Sequence, residues 1–342
     1  MILFICRKEV LFMSNVFNFN SSIAPFLYSF IELKRLGGIS VLHMAATLRD
    51  IDSFYITQQI RESIITEELF IKWRKTRVND GERTLYARIS VWCQLSRHIS
   101  RQGVGCYIPQ MPSPTKGTYS PYIYTKEQIN LIMQKSMELR INRNDMDCLI
   151  FIMPALLRLL YSTGLRIQEA LTIKNENVSL EGHYILITKT KNRCERIVPI
   201  CESMEVVLRQ YLQYRDRIPI KNIAASKSHL FVKPDGTPCK AVSVGKWFRM
   251  ILRSSAIPIF GNRKGPRLHD FRHTMATGSL VQMAHDGIDM YAAMPILSAC
   301  LGHKSLSATE QYVRLTAEMH PELLENTSKI NAFIYRSYNK TE

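Results

Sequence analysis

Residues 301–313 read LGHKSLSATEQYV, and the rest of the chain can be organised around this stretch. Leu301-Gly302 closes a helix expected to begin at Pro295, since proline suits a first helical turn and glycine suits the position just past the last. His303 then stands in a loop. Ser307-Ala308-Thr309-Glu310 has the form of a capping box, so Tyr312 falls on the second turn of the following helix. Upstream, LHDFRH (268–273) places His269 and Arg272 three residues apart on one helix face, entered from Gly265-Pro266. Phe271 and Met275 mark another face, the expected core side, and His273 is expected to pack or cap.

Earlier still is STGLRIQEAL (162–171). The apolar run LLRLLY breaks at Thr163-Gly164, and RIQEALTI starts a new helix with Arg166 in its first turn. Unpaired N–H groups at such a position favour an anion. Between these motifs, HYILITKTKNRCERIVPI (183–200) gives two β-prone runs around a basic loop that carries Lys189, Lys191, Arg193 and Arg196. Taken singly, each motif has a bland reading: a surface arginine, a helix-start histidine, a loop histidine, a half-buried tyrosine.

The composition narrows the class. The chain has 342 residues, 46% hydrophobic and 22% charged, which is globular and long enough for two domains. Its 45 Lys+Arg against 29 Asp+Glu give a formal net charge of +16, which favours a polyanionic partner such as nucleic acid. None of the eight cysteines forms a Cys-x-x-Cys pair, so a zinc ribbon is not expected, and several read as small core residues of a reducing compartment. The start, MILFICRKEVLFM, lacks the form of a secretory signal, and Met13 is a candidate for the true first residue. The apolar segment 149–160 is too short to span a membrane and is interrupted by Pro154 and Arg158.

The organisation is expected to be a tail (1–18), a helical domain (19–108), a Pro-rich linker (109–122) and a second domain (123–342). In the first domain, IAPFLYSFIELKRLGG (23–38) sets Phe26, Phe30 and Leu33 at helical spacing and stops at a glycine pair. EELFIKWRKTR (67–77) and ERTLYARISVWCQLSRHISRQG (82–103) are two more amphipathic helices. Lys72, Arg74, Lys75 and Arg77 surround Trp73 and fit either a phosphate-contacting end or a solvated face over a buried tryptophan. Past the linker, Thr125-Lys126-Glu127-Gln128 is a capping box for a helix carrying Ile129, Ile132 and Met133.

Two arginines, two histidines and a tyrosine suit one reaction: attack of the tyrosine hydroxyl on a phosphodiester. The five-coordinate phosphorus gathers negative charge, which fixed cations and hydrogen-bond donors must meet. Arginine binds two phosphate oxygens at once and stays charged. A tyrosine near its ordinary pKa of about 10 is a weak nucleophile and needs such a field. A leaving 5′ oxygen needs a proton, which a hairpin lysine can deliver.

The order Arg166, hairpin lysine, His269-x-x-Arg272, Leu301-Gly302-His303, Tyr312 resembles the tyrosine recombinase (phage integrase) family, over roughly 123–325 for the catalytic domain and with the helical region before it resembling the core-binding domain. The resemblance implies a mainly α catalytic domain with a small β-hairpin or sheet (α+β), an all-α N-terminal domain, and a C-shaped clamp on DNA. It implies that Tyr312 forms a 3′-phosphotyrosyl link, that Arg166 and Arg272 hold the non-bridging oxygens, that His269 assists proton removal from Tyr312, and that His303 donates to the phosphate. A hairpin lysine protonates the leaving group. Strand patterning favours Lys189, while counting back from Pro199 favours Lys191, leaving Lys191 with Arg193 and Arg196 as DNA contacts. No metal or other cofactor is implied, nor ATP, because the ester keeps the bond energy.

The implied partners are double-stranded recombination sites and three further copies in a tetrameric synapse, with accessory DNA-bending proteins open and no membrane. The implied place is a prokaryotic cytoplasm, on the nucleoid when bound. In the tail HPELLENTSKINAFIYRS, Ile330, Phe333 and Ile334 share a face that the resemblance docks on a neighbouring copy. The segment between the histidine motifs is longer than in compact members and makes Tyr291 a rival nucleophile without a preceding Gly-His. The expected function is site-specific recombination for a mobile element. A type IB topoisomerase or resolvase, or a non-catalytic DNA-binding regulator on the same scaffold, are the alternatives.

Overall fold

The computed structural model describes residues 17–113, 121–140, 148–188, 195–260 and 265–323. The chain forms two compact units, Met1–Thr118 and Tyr119–Glu342. In the first, α1 (Ala24–Leu36), α2 (Ala45–Thr57), α3 (Glu67–Lys75) and α4 (Glu82–Ser100) enclose a core that includes Leu27, Phe30, Leu48, Ile51, Trp73 and Trp92. The buried stripe of α1 is Ala24, Leu27, Phe30 and Ile31. Of the three residues expected at helical spacing, Phe30 is buried, Phe26 packs partly buried against this core, and Leu33 is 48% exposed. Trp73 is buried and donates its Nε1–H to Asp50 at 2.9 Å.

In the second unit, α5 (Lys126–Met137) opens with the expected capping box, the Thr125 hydroxyl accepting from the Gln128 N–H at 3.2 Å and the Gln128 side chain from the Thr125 N–H at 3.1 Å. α6 (Met153–Thr163) buries most of its residues, including Leu156, Leu157 and Leu160, in the larger core. It stops at Gly164, whose φ of +63° an L side chain rarely adopts. α7 (Ile167–Thr172) follows. A three-stranded antiparallel sheet comes next, β1 (Val178–Ser179), β2 (Tyr184–Ile187) and β3 (Arg196–Pro199) in that spatial order, with Tyr184 opposite Pro199 and Ile187 opposite Arg196. Ile185, Ile187 and Val198 face inward, the period-two pattern of a half-buried sheet. The two β-prone runs are thus the central and one edge strand, and β1 completes the sheet.

The remaining helices are α8 (Glu202–Arg215), α9 (Ala241–Ser254), α10 (Asp270–His285), α11 (Met290–Leu301) and α12 (Ser307–Met319). A smaller core joins α10, α11 and α12 through Ala276, Leu280, Ala293, Leu297, Leu301, Tyr312 and Val313. α10 serves both cores, with Phe271 in the larger and Ala276 and Leu280 in the smaller.

Two helix starts differ from expectation. α11 begins at Met290 with Pro295 inside it, because Asp289 accepts from the Tyr291 and Ala292 N–H groups at 2.9 and 3.0 Å and fixes an earlier first turn. α12 has Leu306 at its N-cap and no capping box; the Ser307 hydroxyl pairs with Ser305, and Thr309 is engaged by His303 instead. Among the described residues no helix is long and apolar enough to cross a membrane.

Candidate active site

Arg272 is the third residue of α10 and is 1% exposed. Its guanidinium donates from Nη1 to the Gly164 carbonyl at 2.8 Å and from Nη2 to the Leu301 carbonyl at 2.7 Å. Those carbonyls belong to the ends of α6 and α11, both closed by left-handed glycines. The αL turn at each end leaves a carbonyl without a helical partner, and Arg272 takes both. Its Nη2 also lies 2.9 Å from His303 Nε2. Burial pushes the Arg272 pKa down to about 10, with Arg166 adding to the effect, and it stays charged at neutral pH.

His303 is held at both nitrogens, since Nδ1 lies 2.8 Å from Thr309 Oγ1. Its ring stacks on Tyr312 at a centroid distance of 6.1 Å and an angle of 3°. Tyr312 is 1% exposed. Burial raises the pKa of its hydroxyl, while Arg272 and Arg166 pull against the rise. Burial, then Arg272 and Arg166, lowers the His303 pKa to about 4. His269 reaches solvent at the start of α10, yet loss of water around its ring, then Arg272, Arg267 and Arg166, lowers its pKa to about 4 as well. Both imidazoles are neutral near pH 7, and a neutral imidazole can accept a proton.

Arg166 is the N-cap of α7 and not a first-turn residue. Glu169 accepts its backbone N–H at 3.0 Å and its Nη1 at 2.9 Å. Glu169 is 3% exposed and also pairs with Arg196 at 2.8 Å. Burial works to raise the Glu169 pKa, but Arg196 and Arg166 outweigh it and keep the carboxyl below its ordinary range. Sequence reading missed Glu169, although Arg-x-x-Glu at a helix start is the signal for this pairing.

Arg196 is corrected. Its side chain is 8% exposed and turned inward, donating to Glu169 and, through Nε, to the Cys300 carbonyl at 2.9 Å. A guanidinium so engaged braces β3 against the end of α11 and has no free fork for DNA. Lys189, Lys191 and Arg193 lie outside the described residues, as do Ile330, Phe333 and Ile334. Lys72, Arg74 and Lys75 are exposed on α3, whereas Arg77 is partly buried against Asp50 at 2.9 Å. Tyr291 is 59% exposed near the start of α11.

His273, expected to pack or cap, sits at a ring distance of 5.5 Å from Tyr312 and 4.9 Å from His269. Arg166, His269, Arg272, His303 and Tyr312 thus converge, through direct contacts or through the charge that Arg166 exerts on the other four. The cluster combines two fixed cations, two neutral imidazoles and a phenol, a set suited to anion binding and nucleophilic attack. No group of three or more His, Cys, Asp or Glu among the described residues could hold a metal ion.

Residues 123–319 match the phage integrase family. The protein y4rB of Sinorhizobium fredii, which carries a provisional integrase/recombinase name, is 26% identical over 309 residues, 88% of this chain and 95% of that protein. Tyrosine recombinase XerC of Chlorobaculum tepidum is 34% identical over 164 residues, so the match spans 47% of this chain and under half, 45%, of XerC. The Tn1549 transposon integrase, solved in complex with a circular intermediate DNA, shares the fold with a TM-score of 0.60 at 15% identity, over 84% of this chain and 94% of that one. With the family pattern running from before α5 to the end of α12, the chain belongs to the phage integrase family, the tyrosine recombinases.

Proposed function

We propose that the chain is a site-specific DNA recombinase in which Tyr312 attacks the scissile phosphate, forms a 3′-phosphotyrosyl ester and frees a 5′ hydroxyl. The observation that carries this reading is the convergence of Tyr312, Arg272 and His303, with Arg272 bound to His303 at 2.9 Å and His303 stacked on the Tyr312 ring. Arg166 and Arg272 hold the non-bridging oxygens and meet the charge that builds at phosphorus. His269, neutral near pH 7, takes the Tyr312 proton. When DNA binds, Arg272 turns its Nη2 from His303 to the phosphate, and His303 donates to the phosphate from Nε2 in the other tautomer, with Thr309 then donating its hydroxyl to Nδ1. The hairpin between β2 and β3 supplies the general acid, Lys189 in preference to Lys191. Resealing reverses the attack with another strand's 5′ hydroxyl, so the ester conserves the bond energy and the cycle needs neither ATP nor a metal.

In this reading the helical unit and its exposed Lys72, Arg74 and Lys75 grip DNA phosphates, and the Pro-rich stretch links it to the catalytic domain. Four copies assemble on two recombination sites, joined by the segment after Leu323. The element served is a mobile one, acting on the nucleoid of a prokaryotic cytoplasm.

The test uses nicked duplexes built from the DNA that flanks the gene. The wild-type protein is expected to form a covalent protein–DNA adduct on one of them, and Tyr312→Phe none. An adduct that persists in Tyr312→Phe, or none from the wild type on any flanking site, overturns the reading. The same assay with Lys189→Ala and Lys191→Ala assigns the acid, with Lys189→Ala expected to be the slower.

A further inference from the structure

The proposed chemistry leaves one buried polar group without a task. His273 follows Arg272 on α10 and is 6% exposed. Ring contacts run from His269 to His273 (4.9 Å, edge to face at 88°), from His273 to Tyr312 (5.5 Å) and from Tyr312 to His303 (6.1 Å). His273 therefore stands between the proposed base and the proposed nucleophile. Its Nδ1 is fully buried with no hydrogen-bond partner among the described residues. An unsatisfied buried nitrogen costs about 1–3 kcal/mol, so stability alone would favour an apolar side chain of similar bulk here. The other anchored ring, His303, differs in this respect, since both of its nitrogens are engaged.

We infer that His273 positions the nucleophile, its Nδ1 providing the hydrogen-bond site for the Tyr312 oxygen as the hydroxyl turns toward the scissile phosphate. In either neutral tautomer that nitrogen can serve one bond, as acceptor from the hydroxyl or as donor to the phenolate. His269 remains the proposed base and takes the proton, and His273 only holds the oxygen. Burial, and then His269, Arg267 and Arg272, pushes the His273 pKa down to about 3, so its ring is neutral near pH 7 and Nδ1 is open to a single hydrogen bond. The ring contact limits where Tyr312 can swing, and the nitrogen defines where its oxygen stops. A bond formed mainly during attack speeds the chemical step without tightening DNA binding.

The inference rests on Tyr312 being the nucleophile, and the test separates the two. Single-turnover adduct formation on the nicked duplex is compared for wild type, Tyr312→Phe, His273→Leu and His273→Asn, with DNA affinity and thermal midpoint measured for each. Asparagine sets a polar atom near the place of Nδ1, whereas leucine sets none. His273→Leu is expected to keep the wild-type midpoint or exceed it, to bind DNA as the wild type does, and to form adduct roughly tenfold more slowly. His273→Asn is expected to recover most of that loss. A folded His273→Leu that cleaves at the wild-type rate overturns the inference, and so does a His273→Asn as slow as His273→Leu, which would reduce the residue to packing. Should the leucine variant not fold, a stable His273→Asn cleaving roughly tenfold below wild type overturns it by itself, and one near the wild-type rate supports it. An adduct formed by Tyr312→Phe defeats the nucleophile assignment instead.

Discussion

Arg272 Nη2 lies 2.9 Å from His303 Nε2, and a guanidinium can only donate, so this imidazole nitrogen accepts and the ring proton sits on Nδ1 toward Thr309. One side chain thus ties together the ends of α6 and α11 and the histidine loop that leads to Tyr312. A lysine at 272 offers a point charge on a flexible stem and cannot serve three acceptors in the plane of a fork. Arg272→Lys should leave at least one buried carbonyl unpaired, at about 1–3 kcal/mol each in urea unfolding. It should also slow adduct formation roughly 100-fold, as loss of a charge-stabilising donor does. Near-wild-type cleavage by Arg272→Lys would remove the fork from the mechanism.

Acid should destabilise the catalytic unit through its histidines. His269 and His303 are lowered to about 4 and His273 to about 3, burial being the first cause in each case. An unfolded histidine titrates near 6.5. Between those values the unfolded chain binds more protons than the folded one, so stability is full above about pH 6.5 and is lost as pH falls toward about 4. The thermal midpoint should therefore drop from about pH 7 to about pH 5, and drop less in His273→Leu, where one of the three protons is no longer taken up. A midpoint independent of pH over that range would contradict the loss of water around these rings.

Glu169 should matter to both folding and cleavage. It is the shared acceptor of Arg166 and Arg196, and both pairs are largely out of water. Removing one partner of a buried pair costs about 3–5 kcal/mol because the remaining charge is left uncompensated. Glu169→Ala is expected to lose stability on that scale and to slow cleavage by freeing Arg166 from its orientation. Glu169→Gln, which keeps the shape and one acceptor, should fall between. If Glu169→Ala cleaved at the wild-type rate, the brace would be irrelevant to Arg166.

What could be read from the sequence follows from what is local. Thr125–Gln128 is a capping box because both partners lie within one turn, and the strands of the hairpin show their own alternation. The residues Arg166, His269, Arg272, His303 and Tyr312 could be named because each stands in a recognisable order with its neighbours. Arg196 could not be placed correctly. Its partners Glu169 and Cys300 are 27 and 104 residues away, and a basic residue beside a basic loop reads as a surface contact until those partners are known. His273 packs, one of the two outcomes its place suggests, but its neighbour Tyr312 could not be foreseen because it comes from α12, across the smaller core. α11 starts before Pro295, the place to which proline's preference for first turns points, because of the competing cap at Asp289, which relies on a single side chain.

Gly302 provides a direct check of the Arg196 brace. Its φ is +66°, and a Cβ there would lie 2.7 Å from Arg196 Nη1 and 3.0 Å from Cζ. Two costs follow from Gly302→Ala: a left-handed backbone with a side chain, about 1–2 kcal/mol, and displacement of Arg196 from Glu169. Gly103 isolates the first, since its φ is +84° and nothing lies within 4 Å of an added Cβ. Gly302→Ala should therefore be more destabilising than Gly103→Ala in chemical denaturation. The excess should shrink when Arg196 is first replaced by methionine, because the clash and the lost ion pair both need the guanidinium. Equal costs at the two glycines, or an excess that survives Arg196→Met, would mean that Arg196 does not brace the turn before His303.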